Sequence, residues 1–181
     1  MLDNYYVYYE KRKYLMKINA WEHDQAYLDI VSDLLKTKEV QKLDQFTQHH
    51  NYTRLQHSIS VSYQSYLIAK KWHLNDRAVA RAGLLHDLFY YNWRTTKFDL
   101  GTHAYIHPRV ALRNAEKLTP LTPMEKDIIL KHMWGATIAF PKYRESIIVS
   151  VVDDYAATQE YLGHVHKKIR FLLNKMQQRI S

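Results

Sequence analysis

Cysteine is absent from this 181-residue chain. Disulfides, zinc fingers, iron–sulfur clusters and thiol nucleophiles are thereby excluded, and any metal must be held by histidine, aspartate or glutamate. Glycine and proline are scarce, with four of each; this excludes collagen-like and low-complexity architectures and leaves few helix breakers. No apolar run approaches the ~20 residues that cross a bilayer. The start, Met1-Leu2-Asp3-Asn4-Tyr5-Tyr6, has none of the marks of a secretory signal, so the expected location is the cytoplasm.

What the chain does contain is charge of mixed sign and many apolar residues. Lys and Arg number 26 against 18 Asp and Glu, a formal balance of +8, and 46% of residues are hydrophobic. The length fits a single domain over 1–181. The basic residues are spread along the chain instead of forming a block. A surface that attracts small anionic substrates is therefore expected, and direct nucleic-acid binding is not.

Apolar residues three and four apart predict an all-α protein with short connections. Segments near 2–20, 24–37 and 38–48 read as helical, the second with a stripe of Leu28, Val31, Leu34 and Leu35. A helix over 53–73 is expected to turn Leu55, Ile59, Tyr63, Tyr66, Leu67 and Trp72 towards the core. Asn75 caps the next, from Asp76 to Leu85, where Ala78, Ala82 and Gly83 permit a close helix neighbour. After a polar loop over 92–106, Pro108 suits the first position of a helix. Thr122, Pro123 and Glu125 spell an N-cap, an N1 proline and a capping-box glutamate. The β-branched run Ile147–Val152 continues through Ala156, Gln159, Glu160 and Leu162, which favours a helix of about sixteen residues over a lone strand. The tyrosines Tyr5, Tyr6, Tyr8 and Tyr9 are read as helix packing, and the stripe Ile169, Leu172, Leu173, Met176 and Ile180 as a packing or dimer helix.

Among eleven histidines, those on apolar helical faces matter most. His132 follows Met124 and Ile128 at spacings of four, and His86 shares a face with Val79, Ala82 and Gly83 and is followed at once by Asp87. Asp153 continues the apolar face set by Val149 and Val152, which selects it over Asp154. A carboxylate on such a face is costly unless it is paired or binds a cation. A His-Asp doublet with a further Asp in another helix's core stripe points to a cluster between helices.

The stretches Thr53-Arg54-Leu55-Gln56-His57-Ser58, Ala82-Gly83-Leu84-Leu85-His86-Asp87-Leu88 and Val149-Ser150-Val151-Val152-Asp153-Asp154 carry a resemblance. In order and spacing they resemble the HD-domain superfamily of metal-dependent phosphohydrolases, over roughly residues 50–162. The resemblance implies an all-α HD-domain helical bundle with its metal site between helices, and His57, His86, Asp87 and Asp153 as ligands. His107, in Ile106-His107-Pro108, and His132, in Leu130-Lys131-His132, look like the extra histidines of two-metal members. With them Asp87 would bridge two ions; the alternative is one ion with both histidines only hydrogen-bonded to its ligands.

The activity so implied is hydrolysis of a phosphomonoester or phosphodiester, most readily a nucleotide, with Asp87 catalytic and iron or manganese as cofactor. Arg54 and Lys131 could each bind the substrate phosphate or pair with an acidic neighbour. Two other readings stay open: a di-iron oxygenase of the same fold, and a non-catalytic module that binds a nucleotide. The expected partner is a small phosphorylated substrate, with no membrane; whether the chain is a monomer or a homodimer is left open by the sequence.

Overall fold

The structure, a computed structural model, describes residues 20–49, 52–99 and 101–180, without the side chains of His49 and 163–180. Residues 2–19 of the segment expected over 2–20, with its tyrosine cluster, and the side chains of the C-terminal stripe lie outside that description. Among the described residues there are seven α-helices and one two-stranded hairpin. In chain order they are α1 (Gln25–Leu35), α2 (Lys38–Gln41), β1 (Thr47–His49), β2 (Tyr52–Thr53), α3 (Arg54–Lys71), α4 (Asp76–Leu85), α5 (His103–Leu118), α6 (Pro123–Lys131) and α7 (Arg144–Ile180). No helix of the described residues is long and apolar enough to cross a membrane.

Local signals set most helix starts. Asp24 caps α1 through the Tyr27 amide, and Asn75 caps α4 through the Ala78 amide. Thr53 with Gln56 and Thr122 with Glu125 form reciprocal capping boxes on α3 and α6. Four sequence expectations are corrected. Residues 38–48 are not one helix but the single turn α2, a 3-10 turn Lys42–Gln45, and the strand β1 that pairs antiparallel with β2. Pro108 is inside α5, which starts five residues earlier, at His103. The last helix runs 37 residues from Arg144, since no proline interrupts it. Trp72 and Leu67 face solvent, at 61% and 43% exposure, because the buried stripe of α3 passes through Leu55, Ser58, Ser62, Tyr66 and Ala69 and residue 67 is turned ~100° from residue 66.

The pairing of α3 with α4 is the most extensive contact; α7 lies against α3 and α6, and α6 also packs on α4 and α5. Gly83 lets α3 and α4 approach: a Cβ at that position would stand 3.0 Å from the Ser62 Cα. Across the same seam Ser62 Oγ donates to the Ala80 carbonyl (2.6 Å) and accepts from Tyr27 Oη (2.8 Å), which ties α1 to the pair. Tyr27, Val31 and Leu34 of α1, Val61 and Tyr66 of α3, Val79 and Leu84 of α4, Ile128 and Ile129 of α6 and Val149 of α7 belong to one buried cluster. Burial of apolar area on this scale is the main stabilising term. The core closes around a polar centre, to which α3, α4, α5, α6 and α7 each contribute a residue at or near the helix.

Candidate metal centre

Histidine placement in the centre follows from helix ends. His86 is the residue after α4 and His132 the residue after α6, so both rings lie beside backbone carbonyls that have no helical donor. Each ring uses one: His86 Nδ1 donates to the Gly83 carbonyl (2.7 Å) and His132 Nδ1 to the Ile129 carbonyl (2.8 Å). His107 Nδ1 donates to the His103 carbonyl (2.8 Å) one turn earlier in α5. An imidazole whose Nδ1–H is spent in this way presents Nε2 as its ligating atom. From α7, Ser150 Oγ donates to the His132 carbonyl (2.5 Å), so the helix that carries Asp153 also fixes the end of α6.

The three Nε2 atoms converge on two carboxylates. Asp87 Oδ1 lies 3.3 Å from His107 Nε2 and 3.8 Å from His132 Nε2, and Asp87 Oδ2 lies 3.8 Å from His86 Nε2. Asp153 Oδ1 lies 3.6 Å from His86 Nε2 and 2.9 Å from His57 Nε2. Three overlapping triads have all their ligand atoms within 4.8 Å of one another: His57, His86 and Asp87; His86, His132 and Asp153; Asp87, His107 and His132. Every member is buried. The structure thus brings together all six residues that the sequence marked as ligands. Asp154, the neighbour that the helical face disfavoured, is exposed.

Charge in this centre is lopsided. Burial by itself would raise the Asp87 carboxyl, but His86, His107 and His132 outweigh it and hold the group well below the usual carboxylate range. Asp153 is held low in the same way: its burial is outweighed by the hydrogen bond from His57 and by the nearby His86. Burial pushes His132 down to about 3, with His107 and His86 adding to the effect. Burial likewise works to lower His57 and His86, yet their carboxylate partners prevail and both are raised. Two ionised carboxylates in a buried site attract positive charge, as protons on histidine or as a cation.

The polar atoms left over test whether a cation fits. His86 Nε2 and Asp87 Oδ1 are buried without a hydrogen-bond partner among the described residues. His107 Nε2 and His132 Nε2 stand 2.7 Å apart, although both rings already donate through Nδ1. Facing lone pairs at that separation are repulsive unless a positive charge serves both. Imidazole nitrogens with carboxylate oxygens form a donor set for divalent transition ions.

Two residues of the centre had no sequence signal strong enough to find them. Gln48, delivered by β1, donates from Nε2 to Asp87 Oδ2 (2.5 Å). Glu160, seven residues after Asp153 on α7, meets His57 Nδ1 at 3.0 Å; that spacing is two helical turns and was the available clue. Arg54 lies elsewhere than a phosphate contact requires. It is wholly buried, with Nε on Gln48 Oε1 (2.7 Å), Nη1 on the Phe89 carbonyl (2.7 Å) and Nη2 on the Tyr91 carbonyl (3.3 Å), and its guanidinium stacks 3.6 Å over the Phe89 ring. Burial pushes it down to about 10, so it keeps its charge at neutral pH, behind Gln48 and Asp87. Lys131, the last residue of α6, is partly exposed.

Beside the centre is an aromatic wall. His103 is stacked between Trp93 and His107, with centroids 5.5 and 4.3 Å away, and Phe98 and Tyr91 complete the group. Burial and the neighbouring His107 push His103 down to about 4, which keeps its ring neutral.

The family model of the HD domain matches residues 54–158, more than half of the chain, and that span includes all six clustered ligand candidates. The chain belongs to the HD-domain family. No curated protein and no solved structure gives a significant match. In this HD domain the His-Asp doublet sits where α4 ends: His86 keeps the last helical turn and Asp87 follows in the turn beyond it, so both can point into one centre. Adjacent residues within a helix would diverge by ~100°. Gln48 and Glu160 lie just outside the matched span, on either side of it.

Proposed function

We propose that this HD domain is a metal-dependent phosphohydrolase, acting on a phosphomonoester or phosphodiester and most readily on a nucleotide. The observation that carries the reading is the set of three imidazoles anchored through Nδ1, with their Nε2 atoms turned onto Asp87 and Asp153. His57, His86, Asp87 and Asp153 would hold one divalent ion, and His107 and His132, sharing Asp87, a second. The overlap of the triads at His86, Asp87 and His132 supports two adjacent ions over one. Manganese or iron suits the mixture of imidazole and carboxylate.

A bound divalent ion supplies Lewis acidity towards a phosphoryl oxygen and towards water near neutral pH. The remaining duties fall to the chain. Asp87 keeps its negative charge at the middle of the centre and is oriented by Gln48, which Arg54 holds in turn. Arg54 acts from behind the ligands, and Lys131, adjoining His132 and partly exposed, is assigned to the substrate phosphate. In the aromatic wall, Trp93 and Phe98, both packed on His103, would be the rings against which a nucleobase stacks.

The test is metal analysis of freshly purified protein combined with a screen of phosphorylated metabolites in the presence of manganese or iron. Turnover that a chelator abolishes and added metal restores is expected. A fully metal-loaded protein that releases neither inorganic phosphate nor a phosphomonoester from any compound would overturn the assignment.

A further inference from the structure

Of the four histidines in the centre, His57 is anchored differently. His86 and His132 stand at helix C-termini, where free carbonyls take Nδ1–H, whereas His57 is in the first turn of α3, where the unpaired backbone groups are N–H donors. A carboxylate from α7 supplies the acceptor in place of a carbonyl: Glu160 Oε1 lies 3.0 Å from His57 Nδ1, while Asp153 Oδ1 lies 2.9 Å from Nε2 on the other side of the ring. Two turns of one helix thus hold both edges of this imidazole.

Glu160 is an expensive residue for its place. Only 4% of it is exposed, and its Oε2 has no hydrogen-bond partner among the described residues. A leucine would fill the same space at no electrostatic cost. A buried carboxylate on the far nitrogen of a ligating histidine fixes the ring orientation, selects Nε2 as the ligand atom and increases its basicity. We propose that Glu160 is the positioning residue of the metal centre, holding His57 by its Nδ1 so that Nε2 faces the ion beside Asp153.

This inference rests on the reading of His57 as a metal ligand. Glu160 lies beyond the span that matches the HD-domain family, so the centre would draw part of its metal affinity from the portion of α7 that follows the matched domain. No bond is made or broken by Glu160, and it need not touch substrate.

The experiment is a calorimetric titration of the full chain with manganese, without substrate, on the parent, Glu160→Gln and Glu160→Leu. The glutamine keeps an acceptor for Nδ1–H and is expected to bind within about threefold of the parent. The leucine keeps the volume and loses the acceptor, and should weaken binding about 10- to 100-fold with the helical circular dichroism unchanged. Equal affinity in the parent and Glu160→Leu would overturn the proposal while leaving the metal centre intact; a parent that binds no manganese would overturn both readings. Should Glu160→Leu not fold, the tautomer of His57 decides, read by long-range 15N–1H correlation on the zinc-loaded parent. Protonated Nδ1 with ligated Nε2 is expected, and ligation through Nδ1 would overturn the assignment.

Discussion

His107 and His132 face each other with their Nε2 atoms 2.7 Å apart, each ring tied through Nδ1 to a carbonyl of its own segment. Neither ring can turn away without giving up that bond, so the two Nε2 atoms face each other. With both Nδ1–H groups engaged, a positive charge between the two Nε2 atoms would satisfy both lone pairs. If His107 and His132 hold a second ion, anaerobic titration with manganese should find two ions per parent chain and one in the variant combining His107→Ala and His132→Ala. One ion in both proteins would leave these histidines as hydrogen-bonding neighbours of a single-metal site.

Asp87 belongs to two of the three triads and has His86, His107 and His132 all within 3.8 Å. Asp87→Ala should reduce bound metal to background and lower phosphohydrolase turnover by at least about 100-fold, in a protein that remains helical. Elemental analysis and circular dichroism on one preparation check both parts. Stoichiometric metal in the variant would contradict the assignment.

Asp153 is buried in the centre and Asp154 is exposed on the next face of α7. Asp153→Asn is therefore expected to lose metal, and Asp154→Asn to retain most of its metal and activity. The reverse outcome would displace the ligand by one position along the chain.

Gly83 holds α3 and α4 together by having no side chain. In Gly83→Ala the new Cβ meets Ser62 backbone at 3.0 Å. Overpacking costs about 1–3 kcal/mol, and the better helix propensity of alanine returns about 1 kcal/mol. A net loss of up to about 2 kcal/mol is expected in urea denaturation. Gly135, with nothing within 4 Å of its notional Cβ, provides the comparison: Gly135→Ala should not introduce that clash.

The pair Asp33–Arg81 gives a pH dependence away from the candidate metal centre. Arg81 Nη1 donates to Asp33 Oδ1 at 2.7 Å and holds the carboxyl below its ordinary range. A lowered folded-state value means that the contribution is present above the unfolded value of about 4 and is lost as pH falls through the lower folded value. Because the Asp33 side chain is 62% exposed, Asp33→Asn should cost less than about 1 kcal/mol at neutral pH. Parent and variant should converge in stability once the pH has fallen below the lowered folded-state value; a difference that persists there would place the effect in packing.

The sequence by itself determined the helical class, the capped starts at Asn75 and Thr122, and the apolar faces that carry His86, His132 and Asp153. Those features are local, whereas the full set of six, with His57 and His107, was implied by the resemblance to the HD-domain family. Caps act over three residues, and a histidine or aspartate on an apolar helical face must point inward wherever the helix packs. Tertiary structure alone decided how the residues are used. Which imidazole nitrogen faces the centre depends on carbonyls exposed where α4 and α6 end, and the sequence pattern does not place those carbonyls beside a carboxylate from α7. Gln48 reaches Asp87 only because residues expected to be helical fold into a hairpin strand. Arg54, three positions before His57, shares a helix with it, yet the carbonyls of Phe89 and Tyr91 claim its donors from a segment more than thirty residues away. Glu160 meets His57 across 103 positions of chain. Contacts of that kind are fixed by how α3 and α7 pack, and packing is a property of the assembled core rather than of any one segment.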